Sequence, residues 1–191
     1  MDVEAVLNLL AKRQINRFLG SEHEVRPKLG NNVDLYSFQE RTLGALVLSP
    51  SMGPVLFEVG RKVALEAGKQ ALAILSQLSN YHSFAEATNL EEAKHSSEYP
   101  LLQFIYQSTG TGMMEVTRFE KDKQVVVQVE ECAECFAVGN IGKAVCYFLG
   151  GNIAGALEAS LNREVGCVES KCIAKGDSYC EFRIAISEHL H

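Results

Sequence analysis

The chain has 191 residues and a formal net charge of -6, and a domain of that size buries roughly 70% of its unfolded surface without needing disulfides. Its 18 Lys and Arg residues are scattered, which argues against nucleic acid as a direct partner. No apolar stretch approaches the roughly 20 residues of a membrane span, and the start Met1–Glu4 lacks the basic residues of a signal peptide. We therefore expect a soluble, cytoplasmic protein whose six Cys residues are free thiols.

The first part of the chain, residues 1–49, is predicted to be a helix followed by an extended arm. Apolar residues recur at helical spacing over residues 2–19, which predicts an amphipathic helix that could pack on a partner. Residues 21–39 are polar and rich in turn residues, so we expect an arm there. Residues 43–48 are a short apolar strand candidate ended by Pro50.

Two helices are predicted next. Residues 54–78 carry an apolar stripe at helical spacing that includes Val59 and Val63. In the same helix Ala64 and Gly68 are small enough for a close helix contact. Residues 83–97 have only a narrow apolar edge, which is typical of an ordinary surface helix or of a lid.

The rest of the chain alternates strands with one further helix. The helix is predicted over residues 144–162, and Lys121-Asp122-Lys123 is a turn between two strands. The predicted strands are residues 101–107, 113–119, 125–130, 165–173 and 179–186. Residues 50–191 therefore read as one α/β (α+β) domain, in which a mainly antiparallel sheet packs against helices.

A hairpin near the C-terminus places two cysteines together. Cys172 and Cys180 flank a turn that contains Gly176-Asp177. If the loop centres on Gly176, the two Cβ atoms lie roughly 5 Å apart on one face, so the two sulfurs can share a tetrahedral metal ion. Cys146 lies in the first turns of the predicted helix, on its inward face. These three thiols and Glu169 are the first candidate zinc ligands.

Glu169 requires an irregular strand. It lies three residues before Cys172, so a regular strand would point it at the opposite sheet face unless a bulge or irregular start occurs near Gly166. One alternative set replaces Glu169 with Cys167. The other alternative is a set of four thiolates: Cys132, Cys135, Cys172 and Cys180. Buried, inert thiols are the remaining interpretation.

The pair Cys132 and Cys135 has other interpretations. As a Cys-x-x-Cys motif it could be a redox dithiol, but it follows a strand instead of starting a helix in a thioredoxin-like unit. A second metal ion on this pair would need two more ligands, which the sequence does not place. Elsewhere, residues 139–143 lack the first glycine and the hydroxyl of a phosphate-binding loop. No catalytic constellation is visible, so an enzyme is not indicated.

Four motifs in the last third of the chain carry a family resemblance. They are Cys132-x-x-Cys135, Cys146-Tyr-Phe-Leu-Gly-Gly, Glu169-Ser-Lys-Cys172 and Gly176-Asp-Ser-Tyr-Cys180-Glu-Phe. The stretch from Glu131 to Ile186 resembles the 4-vinyl reductase domain family, also called the hydrocarbon-binding domain, as a stand-alone member. The segment Val55–Lys62 is similar to the first helix of that domain, so the resemblance extends from Pro50 to the C-terminus.

The resemblance implies a zinc site and a ligand. The family's phenol-sensing members bind zinc through Cys, Glu, Cys and Cys, which here are Cys146, Glu169, Cys172 and Cys180. With four protein ligands such a zinc ion is structural. Those sensors also use a His and a Trp for the phenol hydroxyl, and this chain has no Trp, so phenol sensing is not carried over. The resemblance also implies a homodimer.

Two functions follow as expectations. The first is a zinc-containing sensor or carrier that binds a hydrophobic or aromatic small molecule, with a tetrapyrrole among the candidates, and acts through a protein partner. Polar handles for the ligand could be Tyr81, His82, Gln103 and Tyr106. The candidate lining residues are aromatic: Phe84, Phe104, Tyr106, Phe136, Tyr147 and Phe148. The alternative is an assembly or scaffold factor, since the resemblance includes proteins of photosynthetic organisms linked to photosystem biogenesis or chlorophyll metabolism.

Overall fold

Five α-helices and four strands lie within residues 35–187, the part of the chain that the computed structural model describes. The helices are α1 Leu35–Leu48, α2 Met52–Leu75, α3 Leu90–Lys94, α4 Glu98–Ser108 and α5 Tyr147–Leu161. The strands are β1 Met113–Glu120, β2 Gln124–Glu130, β3 Val165–Lys171 and β4 Cys180–Ile186. The helix predicted over residues 2–19 lies outside the described residues.

The four strands form one antiparallel sheet in the order β1-β2-β4-β3. Strand β4 is central, and its side chains alternate between buried and exposed positions, as expected for a sheet with one face against the core. Phe182 and Ile184 of β4 are fully buried. The predicted α+β class and antiparallel sheet are therefore confirmed.

Helices α2 and α5 touch backbone to backbone at glycine residues. A Cβ atom at Gly151 would lie 1.9 Å from the carbonyl oxygen of Phe57, and one at Gly60 would lie 2.2 Å from that of Phe148. Only glycine permits so close an approach. The predicted small contact residue Gly68 lies on this same face, where its Cβ would meet Ala159 at 2.6 Å.

The inward face of α2 differs from the predicted apolar stripe. Val59 and Val63 are about half exposed, at 48% and 57%, whereas Gly60 and Ala64 are buried. Side-chain hydrophobicity alone pointed to the wrong face, because a glycine contact buries backbone and very little side chain.

Two predicted strands are helical. Residues 43–48 lie in α1, where Leu43, Leu46 and Val47 are buried at the i, i+3, i+4 positions of a helix. Residues 101–107 lie in α4, which begins just before Pro100, a residue tolerated in the first turn of a helix. In both cases a short apolar run does not distinguish a strand from a helix by periodicity.

The helix predicted over residues 83–97 is broken into a 3₁₀ turn, Phe84–Glu86, and the short helix α3. Asn89 begins α3 by accepting a hydrogen bond from the backbone N–H of Glu92, while the Glu92 carboxylate accepts one from the N–H of Thr88. This reciprocal cap starts a new helix within the segment.

Candidate metal centre and ligand cavity

Five of the six cysteines converge on one buried point. They come from the loop after β2, the N-terminal end of α5 and the turn between β3 and β4. All five are 0–1% exposed: Cys132, Cys135, Cys146, Cys172 and Cys180. The predicted hairpin therefore places its two cysteines as expected, and the Cys-x-x-Cys pair joins them.

The sulfur atoms are spaced as the ligands of a single metal ion would be. The Sγ atom of Cys146 lies 3.7 Å from those of Cys172 and Cys180, and 3.6 Å from that of Cys132. The Sγ atoms of Cys135 and Cys180 are 3.3 Å apart. These distances are far longer than a disulfide bond of about 2.05 Å. A tetrahedral zinc site with Zn–S bonds of about 2.3 Å has sulfur-to-sulfur edges of about 3.8 Å, which the observed spacing approaches.

Glu169 turns toward the same point because β3 is irregular. The register of β3 against β4 shifts between Glu169 and Lys171, close to the irregularity that the sequence required near Gly166. One carboxylate oxygen, Oε2, accepts a hydrogen bond from the N–H of Cys146 at 3.0 Å. The other, Oε1, is buried and has no hydrogen-bond partner among the described residues. An unsatisfied buried carboxylate oxygen is free to bind a cation.

Two groups of four side chains have ligand atoms that all lie within 4.8 Å of one another. The first is the predicted set: Cys146, Glu169, Cys172 and Cys180. The second is a set of four thiols: Cys132, Cys135, Cys146 and Cys180. Cys167 belongs to neither group. The four-thiolate alternative from the sequence thus has Cys146 where Cys172 was expected.

The electrostatics of the cluster call for a positive charge. Burial, followed by the charge of Cys172, raises the pKa of Glu169 to about 11. Hydrogen bonds from Cys135 and Cys146 lower the pKa of Cys172 to about 7, so that thiolate, the form that binds metal, is accessible near neutral pH. Buried anions are stable only when paired or bound to a metal ion, and a divalent cation would supply that pairing.

Two buried polar side chains hold the cysteine loop in place. Gln39 of α1 donates from Nε2 to the carbonyl oxygens of Ala133 at 2.8 Å and Phe136 at 3.0 Å. Glu134 accepts a hydrogen bond from the N–H of Leu149 at 3.0 Å, which joins the loop to the first turn of α5. Sequence reasoning missed Gln39, although its position four residues before the buried Leu43 places it on the inward face of a helix.

An apolar cavity of about 160 Å³ lies between α2, α4 and α5. Most of its lining is aliphatic, from Val63, Ala64, Ala67, Gly68, Ala71, Leu72, Leu75, Leu101, Leu102, Ile105 and Ala156. Its polar groups include Tyr106, whose hydroxyl donates to Oδ1 of Asn152 at 2.7 Å. Glu98 also lines the cavity and accepts hydrogen bonds from the Tyr81 hydroxyl and the N–H of Phe84. The exposed side chains of Val63 and Ile105 mark where it meets the surface.

Of the six predicted aromatic lining residues, Tyr106 lies at this cavity. Phe84 is buried edge to face against Phe119 in the core, with ring centroids 5.3 Å apart. Phe104 is 67% exposed and Tyr147 is 39% exposed. The remaining two, Phe136 and Phe148, are partly buried outside the cavity lining.

The other polar handles lie apart from the lining. Gln103 donates to the Tyr99 hydroxyl at 3.0 Å and to the carbonyl oxygen of Met114 at 3.1 Å. His82 is exposed. Tyr81 reaches the cavity indirectly, through its hydrogen bond to Glu98.

Comparison with known proteins identifies the family. Residues 125–186 match the family model of the 4-vinyl reductase (V-4-R) domain. The chain is also 30% identical over 192 residues to the uncharacterized protein MJ0150 of Methanocaldococcus jannaschii, an alignment that covers 100% of this chain and 96% of that protein. The chain belongs to the 4-vinyl reductase domain family. The resemblance drawn from the cysteine motifs is thus confirmed.

Three solved structures share the fold of this chain. The phenol-responsive sensory domain of the transcription activator PoxR, with phenol, has a TM-score of 0.59 at 14% identity, covering 87% of this chain and 78% of that one. A trafficking protein particle complex subunit 3 from Naegleria fowleri, covalently bound to palmitic acid, has a TM-score of 0.56 at 20% identity, covering 84% and 98%. A vinyl-4-reductase family protein from Methanocaldococcus jannaschii has a TM-score of 0.51 at 15% identity, covering 97% and 92%. Identities this low establish the common fold and nothing finer.

Within residues 35–187 no helix combines the length and the apolar character needed to cross a membrane.

Proposed function

We propose that this protein is a small-molecule-binding module, which holds an apolar ligand between α2, α4 and α5 and is stabilised by a structural zinc ion. The observation that carries the proposal is the double role of α5. Cys146, at the start of α5, lies in the thiol cluster, while Asn152 and Ala156 of the same helix line the cavity. One rigid element therefore connects the candidate metal centre to the candidate ligand site.

The zinc part of the proposal assigns four ligands: Cys146, Glu169, Cys172 and Cys180. Thiolate sulfur is a preferred zinc ligand, and four protein ligands leave no open position for a substrate. The unsatisfied Oε1 of Glu169 supports its role as the fourth ligand. Zinc here would contribute to folding and would fix the end of α5. A reducing compartment such as the cytoplasm would keep the thiols available.

The cavity's size narrows the ligand class. A dry apolar cavity of about 150 Å³ is known to bind benzene, and the cavity here is about 160 Å³. A tetrapyrrole is several times larger than one ring, so its binding would require α2 and α4 to separate. We therefore favour a single-ring or similarly small apolar ligand, with the Tyr106 hydroxyl and the Asn152 amide as its polar contacts.

The relatives support a ligand-binding role of this kind. One structural neighbour is a sensory domain that responds to phenol, and another carries palmitic acid. Both ligands are small or slender molecules that are mostly apolar. Because this chain has no Trp, we propose the class of ligand and not phenol itself.

The zinc assignment is tested by metal analysis of purified variants. Cys172→Ser should lose stoichiometric zinc and lower the melting temperature, because it removes one ligand of the set. Glu169→Gln should weaken zinc retention less, since one of four ligands becomes neutral. Cys167→Ser is the matched control, because Cys167 lies outside both ligand groups. Full zinc content in Cys172→Ser would contradict the assignment.

The cavity is tested by filling it. Ala71 lines the cavity, whereas Ala73 on the same helix is exposed and lies outside the lining. Ala71→Leu should abolish the methyl chemical-shift changes that toluene and phenol produce in NMR spectra, and Ala73→Leu should leave them unchanged. Equal responses of the two variants, or no response in the wild type, would contradict the cavity proposal.

An assembly or scaffold role is the second candidate. The observation in its favour is an exposed apolar row on α2, Val55, Val59 and Val63, with 48–57% of each side chain exposed. Rows of this kind mark protein contacts, either with a second copy of the chain or with a protein partner. Val59→Asp with Val63→Asp should then reduce the molecular mass seen by light scattering. A monomeric wild type would exclude the homodimer, and the link to photosystem biogenesis or chlorophyll metabolism would need a partner from that process.

A further inference from the structure

The thiol cluster contains more ligands than one zinc ion can use. The two groups of four ligand atoms share two members, Cys146 and Cys180, so together they comprise six side chains. A single tetrahedral ion takes four. Cys132 and Cys135 therefore remain beside the proposed zinc site, fully buried and with their sulfurs in contact with its ligands.

The backbone of the Cys132–Cys135 loop is strained in a way that keeps these thiols inside. Glu131, just before the loop, has φ of 51°, and Ala137, just after it, has φ of 57°. Left-handed backbone at a residue other than glycine costs roughly 1–2 kcal/mol, and such strain is typical of functional sites. The loop is also held from outside, because Gln39 donates to Ala133 and Phe136.

The loop makes its own compact turn around the first thiol. The N–H groups of Cys135 and Phe136 both donate to the carbonyl oxygen of Cys132, at 3.2 and 2.8 Å. The N–H of Ala133 donates to the carbonyl oxygen of Thr111 at 2.9 Å. A pair of apolar core residues could fill the same volume without this strain, so the loop is shaped for two sulfurs on one side.

We propose that the cluster binds two zinc ions that share the thiolates of Cys146 and Cys180. One ion takes Cys132 and Cys135 in addition to the shared pair. The other takes Glu169 and Cys172, which is the site assigned under the proposed function, and on which this inference rests. The two ligands that the sequence could not supply for a second ion are thus the bridging cysteines.

The charges of a two-ion site are balanced as well as those of a one-ion site. One zinc ion with three thiolates and one carboxylate has a net charge of -2. Five thiolates and one carboxylate carry six negative charges, and two zinc ions reduce this to -2 again. The second ion therefore neutralises the thiolates of Cys132 and Cys135 without adding buried charge.

An iron–sulfur cluster is a less suitable occupant. Such clusters place iron and inorganic sulfide between the cysteine ligands, which separates thiolates bound to different irons. Here Cys146 lies within 3.6–3.7 Å of thiols from both groups. Direct sharing of thiolates between two ions accounts for this compactness.

The first experiment counts the metal ions in the intact protein. Zinc per chain, measured by plasma mass spectrometry with protein from amino-acid analysis, should be two for the wild type and for the control Cys167→Ser. It should be one for the double variant Cys132→Ala with Cys135→Ala. Cys172→Ser should also lose zinc, because it disrupts the other ion.

The second experiment detects the shared thiolates and needs no variant. Apoprotein titrated with Co²⁺ should show a paramagnetic resonance signal that grows to one equivalent and falls toward two, because bridging thiolates couple the two ions antiferromagnetically. Two separate sites would instead give a signal that rises throughout, which would overturn the bridged arrangement.

The outcomes distinguish this inference from the proposed function. One zinc in the wild type that is retained in the Cys132/Cys135 variant and lost in Cys172→Ser would overturn the second ion and leave the single-zinc assignment intact. One zinc that is lost only in the Cys132/Cys135 variant would overturn both. Iron with acid-labile sulfide would also overturn both.

Discussion

The contact between α2 and α5 gives a sharp prediction, because two glycines in helices should respond to the same substitution with opposite sign. Gly155→Ala would place a Cβ atom 2.0 Å from the carbonyl oxygen of Arg61. Ordinary contact begins at 3.4 Å, so the helices must separate locally by about 1.4 Å. Neither side can adjust by rotating a side chain, because the obstacle is backbone.

The magnitude follows from packing. A gap of 0.5–1 Å already forfeits a quarter to a half of a dispersion contact, and overpacking typically costs about 1–3 kcal/mol. We expect the upper end, about 3 kcal/mol, since backbone meets backbone. Alanine's better helix propensity offsets roughly 0.5–1 kcal/mol, which leaves a loss of about 2–3 kcal/mol.

The control is Gly44→Ala in α1. A Cβ atom there meets nothing within 4 Å, so the variant should gain about 0.4–1 kcal/mol from reduced freedom of the unfolded chain. Urea unfolding of both variants, with unchanged m-values, measures the difference, which we expect to be about 3 kcal/mol. A Gly155→Ala variant within 0.5 kcal/mol of wild type would refute the close contact between the helices.

Three further predictions concern the cavity and the metal centre. Tyr106→Phe should lower the free energy of unfolding by about 1–3 kcal/mol, because Oδ1 of Asn152 loses its buried donor; urea unfolding measures this, and a neutral result would show that water replaces the bond. Gln39→Leu should cost a similar amount, since the carbonyl oxygens of Ala133 and Phe136 lose a donor, and amide hydrogen exchange should speed up selectively in the loop after β2. Removal of metal with a strong chelator should lower the melting temperature of the wild type by more than that of Cys172→Ser, and equal shifts would contradict the metal's structural role.

The sequence predicted the metal centre better than it predicted the cavity, for a physical reason. A Gly-Asp turn between two runs of β-forming residues is a local signal, so the hairpin that pairs Cys172 with Cys180 could be found. The contribution of Cys132 and Cys135 could not, because it depends on how a loop folds back across more than ten residues. Thiols also signal their chemistry by type, whereas the aliphatic residues of a cavity are the same residues that fill a core.

The errors in the fold have a related cause. The apolar run in α4 is compatible with a strand or a helix, and the structure favours a helix that buries Tyr99 and Tyr106 while leaving Phe104 exposed. Counting aromatic residues therefore misplaced the ligand site. The cavity is instead made where small residues occur, with Ala64, Gly68 and Ala156 among its lining.

The glycines that bring α2 and α5 together also determine how the two candidate sites are linked. Gly151 and Gly155 fix α5 against α2 with no side chain between the backbones, so α5 has little freedom to tilt. Cys146 lies before these glycines along the helix and Ala156 just after them. A shift of α5 that changes the cavity must therefore also move Cys146, and the zinc ions would resist it. On the proposed function, ligand affinity should fall when the metal is removed, even though no cavity residue binds metal.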